Sequence, residues 1–322
     1  MPTSIPYRRA ANSMSSVIPK VAVLLAAYNG RSWIEAQLES ILMQTHVCVS
    51  VFISVDTSTD GTEAWCADYA QRHANVTLLP LAARFGGAAR NFFRLIRDVD
   101  FSSFDYVAFS DQDDIWYPDK LERAVSVLKP GNHHAYSSNV IAFWPNGQRL
   151  LLDKAQPQVR WDHLFEAAGP GCTYVLSRPL ADAFKASLIA QWDAAQAVSL
   201  HDWYCYAFAR SQGYHWLIDP VPGMDYRQHA NNQVGANTGL ASLLTRLKKV
   251  ADGWWAGQVL LISQLTGGNE ALPAGKTAGT RWLFLRLAFK ARECRRRPRD
   301  KLFFIVACLA ATLNKPEQPD NR

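Results

Sequence analysis

Three carboxylates, Asp111, Asp113 and Asp114, fall within four residues directly after the apolar run Tyr106 to Phe109. Crowded acids repel one another and raise one another's pKa. A hard divalent cation removes that conflict, because Mg²⁺ or Mn²⁺ takes oxygen ligands, commonly one or two carboxylates plus the phosphates of a substrate. The D-x-D pattern therefore reads as a metal site completed by an anionic ligand. Taken alone it fits a solvated acidic loop capping a helix over 117–128 better, so the surrounding residues have to decide.

Five further residues bear on that choice. Asp56 closes a β-branched run over 47–56, and a carboxylate there can accept the N3–H of a uracil or thymine ring. Tyr28, in "AAYNG", offers a ring face or hydroxyl beside it. Arg84 and Arg90 lie on "ARFGGAARN", a glycine-rich segment entering a helix, which suits a nucleotide. Asp202, in "HDW", puts a carboxylate at a predicted helix start far from the first cluster. Each has an ordinary reading as a turn residue, a helix cap or a surface charge. What argues for a shared site is their placement, in order, at the ends of predicted elements.

Those elements alternate. "VAVLLAA" (21–27) is an unbroken apolar run ended by a turn, as in a buried parallel strand. Residues 31–44 place Ile34, Leu38, Ile41 and Leu42 at helical spacing. A strand over 47–56 precedes a helix with Ser58 or Thr59 as its N-cap. A strand over 76–81, an amphipathic helix over 86–99 and a strand over 104–110 follow. Units of about 25–35 residues predict a mostly parallel, Rossmann-like α/β sheet flanked by helices, whose ligands bind at the carboxyl ends of the strands. Beyond residue 130 the pattern changes. "HHAYSSNVIAFW" reads as a strand, Asn146-Gly147 as a turn into another strand, "GPGCTYVLS" (169–177) as a loop into a strand, 201–212 as a helix with an aromatic face, and "YHWLID" as a short strand. The expected divisions are an extension over 1–19, a catalytic body over 20–236, and a helical region with a Gly-rich loop and a basic tail over 237–322.

The 322 residues are 48% hydrophobic, enough for a substantial core, and the net charge is +6. From Arg281 onward there are 11 Lys/Arg and 4 Asp/Glu, which leaves 23 basic and 24 acidic residues for the rest. A near-neutral body argues against a nucleic-acid-binding surface. Six cysteines without a C-x-x-C pair argue against a disulfide framework or structural zinc site and fit a reducing, cytoplasmic setting. The first twenty residues have no apolar core, so no signal peptide is predicted. In the tail, the apolar run 302–313 is too short for the roughly 20 residues that a spanning helix needs. A basic, aromatic-bearing segment resting on an anionic membrane surface is the expectation; the alternative is helices packed on the body with exposed arginines.

Residues 20–235 resemble the family 2 glycosyltransferases of the GT-A fold. The marks are "VAVLLAAYNG", "QTHVCVSVFISVDTSTDGT", "ARFGGAARNF", "SDQDDIWYPDKL", "GPGCTYVLS", "HDWYCYAFA" and "YRQHANN". "DQDDIW" together with "YRQHANN" is most similar to the rhamnosyltransferase-type branch, which builds O-antigen and other bacterial surface polysaccharides. The resemblance implies an inverting, metal-dependent transfer from a nucleotide-diphosphate sugar, dTDP-L-rhamnose in that branch, to a saccharide or lipid-linked acceptor. It implies that Ala26, Tyr28, Asp56, Arg84, Arg90 and Asp111 hold the nucleotide, that Asp113, Asp114 and His229 hold Mg²⁺ or Mn²⁺, and that Asp202 is the catalytic base. Arg227, Gly171, Cys172, His201, Trp203 and Trp116 are implied around the diphosphate and acceptor. The chain departs from the family where "DDGS" is usual: Val55 stands for the first aspartate and Thr57 for the glycine. Ala26 stands where a hydroxyl residue is frequent. A nucleotidyltransferase would carry a Gly- and Lys-rich loop after the first strand, which "AAYNGRSW" lacks. A non-catalytic membrane-associated scaffold with a degenerate nucleotide site is the other alternative, and Val55 is its best support.

Overall fold

Val21 to Ala27 are buried without polar interruption, the pattern of a strand covered on both faces. In the computed structural model, which describes residues 18–81, 84–229, 250, 252–267 and 280–313, this strand, β1 (Lys20–Ala27), lies deep in a seven-stranded sheet. The predicted division near 236, the Gly-rich loop, and the last three residues of "YRQHANN" lie outside the described residues.

Along the first half, strands and helices alternate as α1 (Ile34–Leu42), β2 (Cys48–Val55), α2 (Thr62–Arg72), β3 (Val76–Leu78), α3 (Ala88–Asp98) and β4 (Tyr106–Ser110). β1 pairs in parallel with β2 and β4, and β2 with β3. Successive side chains of β1 point to opposite faces. Val21, Val23 and Leu25 join one hydrophobic cluster with α1, and Ala22, Leu24 and Ala26 join a second with α3. The fold is thus an α/β sheet covered by helices on both sides. The expected N-cap of α2 is not the one found. Ser58 Oγ instead accepts the N–H of Asn29, and Asp60 accepts the N–H of Thr62 at the helix start. The loop after β2 is drawn against the turn after β1, so its hydroxyls face that turn rather than the helix.

β5 (Ile115–Trp116) and α4 (Lys120–Leu128) lead to the segment read as one strand over 133–144. It is two strands, β6 (Ala135–Ser138) and β7 (Val140–Phe143), and they belong to different sheets. Asn139 between them explains the break. Its side chain donates to Asp153 and to Pro220 O and accepts from Lys154 N, bonds that compete with a continuous ladder. β8 (Arg149–Leu152) and β9 (Val175–Ser177) follow, then α5 (Arg178–Ala190), α6 (Trp192–Ala195), α7 (His201–Ser211), β10 (Trp216–Asp219) and β11 (Met224–Arg227). The large sheet runs β10-β6-β9-β4-β1-β2-β3, with β9 antiparallel to both neighbours; β5, β11, β7 and β8 form a second sheet.

The later helices are α8 (Trp254–Thr266), α9 (Thr280–Phe289), α10 (Ala291–Cys294) and α11 (Pro298–Leu313). Phe284, Leu287, Phe304 and Cys308 share one core with Phe92 and Phe93 of α3 and Tyr204 of α7. The junction is also ionic. Arg296, with a side chain only 1% exposed, lies 3.5 Å from Asp162 and 3.5 Å from Glu166, and donates to Ala167 O. Asp162 also accepts from the Tyr206 hydroxyl and the Arg210 guanidinium. The outer faces of these helices differ: Trp282 and Phe289 on α9, and Leu302, Val306 and Leu309 on α11, are exposed.

Removing one partner of a buried ion pair strands the other charge, which costs about 3–5 kcal/mol. Arg296→Met should lower the stability of the whole chain by that order in urea unfolding. An unchanged midpoint would show that the tail does not brace the body.

Candidate active site

Parallel pairing in register brings the residues after β1, β2 and β4 to one edge of the sheet, since Ala27 faces Val55 and Leu25 faces Ser110. Asp56 N donates to Ala27 O at 2.8 Å. The Asp56 carboxylate accepts the backbone N–H groups of Thr57, Phe85 and Gly86 at 2.9, 2.8 and 2.9 Å. It thereby anchors the loop that carries Arg84. Tyr28 is nearly half exposed, and its backbone is clamped by Gln112, whose amide accepts from Tyr28 N and donates to Tyr28 O.

The acidic stretch after β4 divides into two directions. Asp111 and Asp113 border a cavity of about 850 Å³ that also contains Ala26, Tyr28, Asp56, Arg84, Gly171, His201, Asp202 and His229 in its wall. Asp114 turns inward, 1% exposed, and accepts Arg227 N at 3.0 Å. Its carboxylate, that of Asp111 and the Cys172 sulfur lie within 4.8 Å of one another. Burial and those two carboxylates push the Cys172 thiol well up. At the cavity wall, Asp113 Oδ2 is 2.7 Å from His229 Nε2, and the His229 ring stacks on Trp33 at 4.2 Å. Carboxylate oxygens with one imidazole are a donor set that fits a divalent cation. Asp111 titrates at about 7, raised by burial and by the Asp113 and Asp202 carboxylates.

Asp202 arrives from the other half of the chain. β9 runs antiparallel to β4, so the segment leading into it, Gly171–Thr173, sits at the same edge as the ends of β1 and β4. The first turn of α7 packs against that segment. Burial raises the Asp202 carboxyl to about 6, opposed by the Trp203 N–H and by the Lys154 ammonium. His201 beside it is held down at about 3 by burial, hence neutral, and stacks on Phe92 at 3.8 Å.

Several expected residues stand outside the cavity wall. Arg90 spends its guanidinium on Gln196 O and Phe85 O. Trp116 is buried beneath the Lys120 ammonium, 3.4 Å from the ring centroid, and the Trp203 indole donates to His163 O. Cys172 is fully buried. Arg227 donates from Nε to Asp113 O and lies over the Phe143 ring, so it shapes the acidic loop from behind. Conversely, the wall includes residues that no motif announced. Trp33 and Gln112 are within quoted stretches, but Lys154, Glu166, Arg295, Arg297, Arg299 and Asp300 are not. The tail arginines were visible as a basic block, yet only folding returns them to this cavity.

A profile described as "Glycosyl transferase family 2" matches residues 22–175. The chain is 45% identical over 287 residues to the dTDP-rhamnosyl transferase RfbG of Shigella flexneri, covering 88% of this chain and 98% of that protein. S. aureus TarS 1–349 in complex with UDP has a similar fold, with TM-score 0.54 and 14% identity over 91% of this chain and 90% of that one. So does the mannosyltransferase PcManGT from Pyrobaculum calidifontis in complex with GDP-Man and Mn²⁺, with TM-score 0.51 and 18% identity over 92% and 87%.

Gly171 shows how closely the two halves of the wall meet. A Cβ there would lie 2.8 Å from His201 Nε2 and 3.0 Å from Asp202 Cβ, closer than packed atoms tolerate. Gly171→Ala should destabilise the chain by about 1–3 kcal/mol through overpacking, measured by urea unfolding. A neutral effect would mean that α7 is free to retreat.

Proposed function

The chain belongs to glycosyltransferase family 2, a family of inverting GT-A enzymes, and we propose that it transfers L-rhamnose from dTDP-L-rhamnose to a saccharide or lipid-linked acceptor in bacterial surface polysaccharide synthesis. The observation that carries the reading is the meeting of Asp111 and Asp113 with Asp202, from 89 residues beyond Asp113, around one cavity. The 45% identity to a dTDP-rhamnosyl transferase supports the donor.

In this reading Asp56 and Tyr28 hold the thymine ring and Arg84 lies toward the diphosphate. Asp113 and His229, with Asp111 beside them, would hold Mg²⁺ or Mn²⁺, which would supply Lewis acidity to the dTDP leaving group. Asp202 accepts the proton of the acceptor hydroxyl as the oxygen attacks the anomeric carbon on the face opposite the leaving group. One base carboxylate suffices, since inversion needs no covalent sugar–enzyme stage. From a β-linked donor the product is an α-L-rhamnoside. Asp114 stays behind the wall as a buried partner of the Arg227 backbone.

The tail completes the reading. No described helix is long and apolar enough to cross a membrane. The exposed side chains Trp282, Phe289, Leu302, Val306 and Leu309 lie on the same helices as exposed Arg281 and Arg299. An apolar stripe with cations at its margin fits an anionic lipid surface.

Asp202→Asn should lower transfer by about 10²–10⁴-fold, the usual range for general-base help, while calorimetric titration with dTDP and Mn²⁺ stays unchanged. Because the base must be ionised and its pKa is raised to about 6, the rate of the natural chain should be full above that value and fall as the pH drops through it. Retained turnover in the variant, or a flat acid limb, removes Asp202 from the role. For the tail, Leu302→Ser/Val306→Ser/Leu309→Ser should weaken co-sedimentation with phosphatidylglycerol vesicles by at least about tenfold. Equal sedimentation of the variant would refute the membrane contact.

A further inference from the structure

We propose that the Asp202 side of the cavity is a subsite for phosphate groups carried by the acceptor, with Lys154 and Arg297 as its ligands. The proposal rests on the reading above in one respect: Asp202 marks where the acceptor enters.

The cavity wall changes sign along its length. Asp56, Asp111 and Asp113 make the donor side acidic. Around Asp202, whose own carboxylate interacts with Lys154, the cations Lys154, Arg295, Arg297 and Arg299 outnumber the other two acids, Glu166 and Asp300. Those two acids are already engaged. Arg295 lies 3.6 Å from Glu166 and 3.7 Å from Asp300, and Arg299 lies 3.6 Å from Asp300. Among the described residues no carboxylate comes within ion-pair distance of Lys154 or Arg297.

Both cations are nonetheless held in place. Arg297 Nε donates to the neutral amide oxygen of Gln156 at 3.0 Å, which orients the guanidinium without neutralising it. The Lys154 backbone N–H is fixed by Asn139 Oδ1, and its stem faces Gly169. The two repel: burial first, and then the Arg297 and Arg295 charges, lower the Lys154 ammonium to about 8. The Glu166 and Asp300 carboxylates oppose that lowering from beyond ion-pair distance. A wall that positions two like charges with no carboxylate in direct contact is suited to an anion with several acceptor oxygens, since a guanidinium fork and an ammonium match phosphate geometry. A neutral sugar hydroxyl gives no use for such a pair. The donor's own diphosphate is expected beside Asp113 and Arg84. An acceptor whose sugar is linked through a phosphate or diphosphate places its hydroxyl toward Asp202 and its charge on Lys154 and Arg297. The exposed side chains of Leu302, Val306 and Leu309, on the helix that follows Arg297, favour a lipid as the bearer of that phosphate.

The test uses the full chain with saturating dTDP and Mn²⁺, titrated calorimetrically with geranyl diphosphate and, in parallel, inorganic pyrophosphate. Both probes should bind, and geranyl diphosphate should bind more tightly if the phosphate is lipid-borne. Lys154→Gln/Arg297→Gln should weaken the probe by about tenfold or more, the worth of a lost charge-assisted bond, with dTDP affinity unchanged. Lys154→Arg/Arg297→Lys, which keeps both charges, should retain most of the binding and so excludes misfolding as the cause. Equal probe affinity in the Gln variant, or no probe binding by a natural chain that binds dTDP, overturns the subsite. A chain that fails to bind dTDP but binds the probe through Lys154 and Arg297 overturns the donor reading and leaves the subsite standing.

Discussion

Repulsion among carboxylates is the constraint around which the rest of the structure is organised. Asp111, Asp113 and Asp202 are brought to one cavity, and burial together with the other two charges raises Asp111 to about 7. An unfolded chain has no such conflict, so the fold must supply the free energy that holds these groups together. It does so through backbone geometry. Parallel pairing of β1 with β2 and β4 sets the depth of the strand ends, the Gln112 clamp ties the acidic loop to Tyr28, and Arg227 fixes that loop from behind. A bound cation would relieve the strain, which is why a site of this kind is expected to be most stable when loaded.

The second organising element is the return of the C-terminal helices. Arg296 enters the body as a fully buried cation, opposite an Asp162 that is itself 0% exposed. Although burial opposes it, the bond with His163 and the Arg296 and Arg210 charges hold Asp162 below its usual range. This clamp places the neighbouring Arg295 and Arg297 at the rim of the cavity. One short basic run therefore faces two ways, with Arg296 braced in the core and Arg295 and Arg297 in the cavity wall. The result is a cavity whose wall combines acids from the strand ends with cations from the tail.

Much of this was legible in the linear chain. The strand–helix alternation up to residue 110 rests on local periodicity, which burial on both faces of β1 enforces. Asp56, Asp111, Asp113 and Asp202 were singled out because each is an acid at an element's end, and in a parallel sheet the ends of successive strands share an edge. The errors lie where side chains compete with the backbone. Asn139 breaks a run that otherwise reads as one strand, and Ser58 turns to Asn29 instead of capping a helix. Neither choice is encoded in propensity, since the deciding partners are distant in sequence.

The sequence by itself determined the residue types that can do the chemistry and the order in which the strands present them. Tertiary structure alone decided which direction each one faces. Asp113 and Asp114 are adjacent and chemically alike, yet one borders the cavity beside His229 and the other is sealed against Cys172 and the Arg227 backbone N–H, partners supplied by distant parts of the chain. Lys154 and Arg297 carry no motif, and Arg297 shares a cavity with Asp202 only because the helices from residue 280 pack back onto the body. Proximity between residues 95 positions or more apart is set by the closing of the core, and no local pattern records it.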